Sequence, residues 1–95
     1  MLKTLFNLFR KTDKNSLETL QQRVEQGDAE AMYQLGRFYH IGEVVEADYD
    51  KAMTLYHRAN ALGYPLAANN IGALYDNMGE PEKSVEWFEQ GIRQG

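Results

Sequence analysis

The chain contains no cysteine. That excludes a disulfide framework, a thiolate metal site and a cysteine nucleophile, and suits a reducing compartment such as the cytoplasm. No apolar run approaches the ~18 residues that a membrane-spanning helix needs. Serine occurs only at Ser16 and Ser84, neither in a nucleophile-elbow context. The two histidines, His40 and His57, stand seventeen residues apart with no HExxH pair, and the acidic stretch Glu43, Glu46, Asp48, Asp50 lacks the spacing and glycine of a calcium loop. Catalysis, cofactors and metals therefore find no support in the residues.

What is present is a composition that folds. Ninety-five residues with 43% hydrophobic and 25% charged content make one small globular domain. The net charge of -4 argues against nucleic-acid binding, which needs a basic surface. Lys3, Arg10, Lys11 and Lys14 against Asp13 give residues 1–14 a net +3, leaving -7 on the remainder. Asn7, Arg10 and Lys11 interrupt the apolar N-terminal stretch and no small-residue cleavage site follows, so it does not read as a secretory signal.

Eight glycines punctuate two repeats. At an offset of 36, Gly27, Ala31, Gly36 and Tyr39 fall on Gly63, Ala67, Gly72 and Tyr75. At an offset of 32, Lys51, Leu55, Tyr56, Ala59 and Gly63 fall on Lys83, Trp87, Phe88, Gly91 and Gly95. The difference lies in the turn, where an insertion leaves stacked helices undisturbed.

Each repeat reads as two amphipathic helices. The apolar positions are Ala31, Met32, Leu35, Phe38 and Tyr39, then Ala52, Leu55, Tyr56, Ala59 and Leu62. The second repeat has Ala67, Ile71, Leu74, Tyr75 and Met78, then Val85, Phe88 and Ile92, with Trp87 off the last stripe. Asp28 and Asp48 are expected N-caps, and Pro65 and Pro81 suit first helical positions. Gly63 and Gly95 are expected C-terminal caps, and Gly42 and Gly79 fall in tight turns. Gly36 and Gly72, inside helices, should mark close helix crossings that offset their poor helix propensity. Upstream, Asn15 and Glu18 resemble a capping box, and Leu17, Leu20 and Val24 mark a helix ending at Gly27.

The run AEAMYQLGRFYHIG, an acidic loop and DYDKAMTLYHRANALG together resemble the Sel-one-like repeat of the tetratricopeptide superfamily. The matching residues are Ala31, Leu35, Gly36, Tyr39, Gly42, Asp48, Lys51, Ala52, Tyr56, Ala59 and Gly63. Two departures stand out: GEVVEAD lacks a second glycine after Gly42, and Gly91 replaces a small alanine. The resemblance implies an all-α fold of antiparallel helix-turn-helix repeats, stacked as a short right-handed α-solenoid of about two and a half repeats. Residues 15–26 form a degenerate half repeat, 27–62 the first repeat and 63–95 the second.

It also implies a non-enzymatic interaction module that receives a partner protein or peptide on a face lined by first helices. Glu30, Tyr33, Arg37 and His40 avoid the apolar stripe and share one helix side; their counterparts are Leu66, Asn69, Ala73 and Asp76. The candidate partner-binding residues are Glu30, Tyr33, Arg37, His40, Asn69 and Asp76, of which Tyr33, Arg37 and Asn69 lead because Tyr and Arg dominate binding hot spots. A solvated polar face is the competing reading. Arg37 has no basic partner in the second unit, so the carboxylate clamp of tetratricopeptide proteins is incomplete. His40 is placed to approach Asp76.

Residues 1–11 separate into an apolar arc (Met1, Leu2, Leu5, Phe6, Leu8, Phe9) and a polar one (Lys3, Thr4, Asn7, Arg10, Lys11) on a helical wheel. This basic amphipathic helix, with its linker to residue 14, reads as a cap on the solenoid end. A weak membrane attachment or packing on a second copy are the alternatives. Two functional alternatives accompany the interaction module: a small acidic immunity or antitoxin protein docking a basic toxin, and a membrane-peripheral scaffold held through residues 1–11.

Overall fold

A computed structural model describes residues 16–94. Among them are five α-helices and no strand: α1 (Leu17–Glu25), α2 (Ala29–Ile41), α3 (Tyr49–Ala61), α4 (Ala67–Asn77) and α5 (Pro81–Gln94). Each helix packs on the next, most extensively within the hairpins α2–α3 and α4–α5, which is the arrangement of a short helical-repeat solenoid. Asn15, Gly95 and residues 1–14 lie outside the described residues.

The helix boundaries follow local chemistry. Asp28 Oδ1 accepts from the Ala31 amide at 3.3 Å and Asp48 Oδ1 from that of Lys51 at 3.1 Å, each satisfying a donor that the helix leaves unpaired. The cap of α1 is Ser16 rather than Asn15: Ser16 Oγ accepts from the Thr19 amide. Pro81 opens α5 as expected. Pro65 does not open α4. It precedes Leu66 in a turn closed by Ala67 N–H to Tyr64 O (3.2 Å), with Leu66 at φ -92, ψ -8, and proline's fixed φ suits the second position of such a turn.

The ends of α1, α3 and α4 are built alike. Gly27, Gly63 and Gly79 all have φ between 78° and 85°. The next amide reaches back in each case: Asp28 to Arg23 O (3.0 Å), Tyr64 to Ala59 O (3.0 Å) and Glu80 to Tyr75 O (2.9 Å). A left-handed residue that lets the chain bond back to orphan carbonyls is a glycine-specific device. With Gly27 aligned on Gly63, Leu17 falls on Met53 and Leu20 on Tyr56. Leu20 and Tyr56 are both fully buried, and Leu17 and Met53 both pack partly buried on the core. The alignment makes α1 the counterpart of α3, the second helix of a repeat.

The close crossings are confirmed. A Cβ on Gly72 would stand 2.8 Å from Phe88 Cδ1 and 3.1 Å from Ser84 O, matching the contact of Gly36 with Tyr56. The apolar stripe of α5 differs from expectation. Val85 is 53% and Ile92 79% exposed, Met78 and Leu62 are exposed too, while Ser84 is buried and Trp87 packs on the core. The inner line is Ser84, Trp87, Phe88 and Gly91, in register with Ala52, Leu55, Tyr56 and Ala59 of α3. Small residues admit the close approach at Gly72, and because Ser84 and Gly91 are not apolar, periodicity alone selects the neighbouring stripe.

Candidate interaction face of the first helices

The first helices of the two repeats, α2 and α4, are joined by side-chain hydrogen bonds at a separation of 37 residues. Tyr33 O–H donates to Asn70 Oδ1 at 3.5 Å, and His40 Nε2 meets Asn77 Oδ1 at 2.7 Å. Between them lies the buried hydroxyl of Tyr56, which accepts from Asn70 Nδ2 at 3.4 Å and meets His40 Nδ1 at 3.0 Å. One assignment of hydrogens satisfies the whole chain: Nε2–H of a neutral His40 donates to Asn77, and Tyr56 O–H donates to Nδ1. The bonds at His40 are the tight half of this network; those at Asn70 are long. Burial pushes the Tyr56 phenol up to about 12, against an opposing influence of the Asn70 bond.

These contacts reassign two candidates. Tyr33 is 8% exposed, its ring 5.0 Å from that of Tyr64 and 6.0 Å from that of Tyr56. It is covered because the 36-residue offset carries the chain back over it through Tyr64 and Asn70. His40 is half-buried and bonded to Asn77, not Asp76, with Tyr49 edge-on at 6.0 Å. Tyr33 and His40 therefore join the repeats to one another. Asn69 and Asp76 occupy the same positions in the second repeat, where no later helix covers them among the described residues, and both are exposed.

Glu30 and Arg37 are exposed. Glu30 Oε1 pairs with Arg23 Nη2 at 3.2 Å, and Arg23 Nε also bonds Asp28 Oδ2 at 2.8 Å. The Arg23 guanidinium is the chief reason that the Asp28 carboxyl lies below its usual range. Arg37 forms no salt bridge among the described residues, and its guanidinium carbon sits 6.0 Å from the Tyr33 ring centre. Glu30, Arg37 and Ile41 share one stripe of α2; the aligned residues of the second repeat are Leu66, Ala73 and Asn77. Ile41 and Leu66 are 54% and 50% exposed, so the face carries a cation between two apolar ends. Sequence reasoning missed Asn70, Asn77 and the Tyr56 hydroxyl. The only signal for them was two asparagines seven apart on a helix whose register a 36-residue offset placed one residue away.

Two further facts bound the chemistry. Among the described residues no three His, Asp or Glu side chains are grouped to hold a metal ion, and no helix is long and apolar enough to cross a membrane. The Sel1 repeat model matches residues 29–64 and 65–95. The chain belongs to the Sel1 repeat family. It is also 34% identical over 80 residues to chitin synthase regulatory factor 4 of Schizosaccharomyces pombe, covering 83% of this chain and 13% of that protein. The Sel1 chain thus spans about an eighth of the relative's length. No solved structure matches it significantly.

Proposed function

We propose that this Sel1 repeat chain is a non-catalytic, cytoplasmic interaction module whose partner protein or peptide docks across α2 and α4. Arg37 supplies the central anchor, with Ile41 and Leu66 as apolar contacts and Glu30, Asn69 and Asp76 toward the rim. The observation that supports this reading most directly is Arg37 itself: exposed, in no ion pair among the described residues and set over the Tyr33 ring. It spends nothing on the core and is well placed to meet a partner's carboxylate or aromatic group. The Schizosaccharomyces pombe relative is by name a regulatory factor, which fits an adaptor role.

The test is affinity capture with the native chain and with Arg37→Ala and Leu66→Asp, followed by titration of the purified partner. Both positions are exposed, so stability should change by no more than about 0.5 kcal/mol, while affinity falls about tenfold or more, a hot-spot loss above ~1 kcal/mol. Native affinity in both variants overturns the assignment. Tyr33→Ala is unsuited to this test because it opens the core.

A second reading draws on the net charge of -7 over residues 15–95: a tight complex with one basic partner, such as a toxin neutralised by its immunity protein. Its association rate should fall steeply with salt, whereas docking anchored on Arg37 and apolar contacts should not.

A further inference from the structure

A second surface, distinct from the α2–α4 face, lies on the outer side of α5. Offsets of 36 and 32 carry Leu17, Gln21 and Val24 of α1 onto Met53, His57 and Asn60 of α3, and these onto Val85, Glu89 and Ile92 of α5. Residues three and four apart share one side of a helix. In α3 that side is turned toward the next repeat: the His57 ring lies edge-on to Trp87 of α5, centres 5.0 Å apart, and Met53 packs partly buried on the core. In α1 it is likewise covered, Leu17 packing on the core and Val24 being 8% exposed. In α5 the same three positions stand open. Val85 is 53% and Ile92 79% exposed, with exposed Glu89 between them, and an open cavity of about 430 Å³ is lined by Pro81, Glu82 and Val85. The outer side of α5 thus continues an interface that α1 and α3 already form, and on α3 the neighbouring element is a helix, α4.

Charge decides between occupants. The exposed ionic side chains on this side of α5 are Glu82, Glu86 and Glu89, with Arg93 alone of opposite sign. α4, the next helix packed on α3, contains no lysine or arginine. A further repeat of that composition would bury Glu89 without a counter-charge, where α3 and α1 carry His57 and Gln21, and an unpaired buried carboxylate is costly. A second copy docked through the same side about a two-fold axis would set the acidic side of α5 against itself, and like charges oppose association. A helix with basic side chains beside its apolar ones meets both features.

We propose that the outer side of α5 is a docking site for a basic amphipathic helix of a partner protein, which packs on α5 as α4 packs on α3. Its apolar side chains cover Val85 and Ile92, one of them entering the cavity at Pro81, and its lysines or arginines pair with Glu82 and Glu89. The site is separate from the α2–α4 face and stands or falls without it.

The probe is a helical peptide of about 18 residues, a length that holds helix in water, with leucines three and four apart on one side and lysines flanking them. A second peptide has glutamates in place of the lysines. Titrated into the isotope-labelled full chain, the lysine peptide should shift the amide signals of Val85, Glu86, Glu89 and Ile92 and leave those of Arg37 and Ile41 in place. Ile92→Asp should weaken binding about tenfold or more. Glu82→Lys combined with Glu89→Lys should reverse the preference, so that the glutamate peptide binds the more tightly. All three positions are exposed, so the spectra of the variants should stay dispersed. No shift on α5, shifts centred on Arg37, or equal binding of the two peptides by the native chain overturns the proposal. So does a dimer of the native chain that Ile92→Asp dissociates in sedimentation, a result that assigns the side to a second copy.

Discussion

The ring of Tyr56 lies so close over Gly36 that a Cβ there would stand 2.7 Å from Cε1 and 2.8 Å from Cδ1. The ring cannot swing aside, because its hydroxyl is bonded to His40 and Asn70 and the side chain is fully buried. Gly36→Ala gains about 1 kcal/mol of helix propensity but forces an overlap of the kind that costs about 1–3 kcal/mol. The denaturation midpoint should fall. Gly91→Ala provides the contrast: its Cβ would meet Asn69 N at 3.5 Å and Ala68 Cβ at 3.7 Å, ordinary contacts, so propensity wins and the midpoint should rise. A rise for Gly36→Ala would show that the ring yields and that the crossing does not need glycine.

Tyr56→Phe should cost about 1–3 kcal/mol, since it strands His40 Nδ1 and Asn70 Nδ2 in a part-buried site. The same substitution changes the alkaline limb. A free tyrosine ionises near 10, the folded one at about 12 because of burial. Below pH 10 both states keep the proton and the contribution is whole. Between 10 and about 12 the unfolded chain has released a proton that the folded chain still holds, so stability falls as pH rises. Urea denaturation at pH 8 to 11 should show a steeper decline for the native chain than for Tyr56→Phe; parallel declines would mean that the phenol ionises freely in the folded state.

The repeat architecture was legible in sequence because glycines mark it. Gly27, Gly63 and Gly79 sit where only a left-handed residue closes the helix, and Gly36 and Gly72 where an aromatic ring presses on the backbone; such positions recur at fixed offsets. The inner face of α5 was hidden because Ser84 and Gly91 bury by being small, while Val85 and Ile92 mimic a stripe they do not form. The candidate face was half legible. Arg37 and Glu30 are exposed as their polarity suggests, but Tyr33 and His40 are covered by residues of later segments, among them Tyr56, Tyr64, Asn70 and Asn77, and intra-helix periodicity carries no information about what later helices lay on top.

His57 gives an acid signature. Burial against Trp87 holds its pKa below the ordinary value near 6.5. As pH falls through that value the unfolded chain gains a proton that the folded chain resists, so stability falls with decreasing pH until the folded pKa is reached. His57→Gln should remove this slope just below pH 6.5 while leaving the decline below pH 4, where the lowered pKa of Asp28 acts. Thermal melts of both chains across that range read the difference; an unchanged slope would place the titration elsewhere.

Val44 holds the one left-handed backbone among the described non-glycine residues, φ 70°, in the loop between α2 and α3. A β-branched residue is strained there, and at 69% exposure its side chain recovers little from packing. The loop ends are pinned by Gly42 N–H to Phe38 O at 2.8 Å and Asp48 N–H to Tyr39 O at 2.9 Å, which hold the conformation despite its cost. Asparagine adopts this region readily, so Val44→Asn should stabilise by about 0.5–1 kcal/mol, part of the ~1–2 kcal/mol that a left-handed residue costs. Val44→Gly should gain less, because glycine also widens the unfolded ensemble. Urea midpoints for the three chains check the order; a loss with asparagine would mean that the left-handed backbone at Val44 carries no strain for asparagine to relieve.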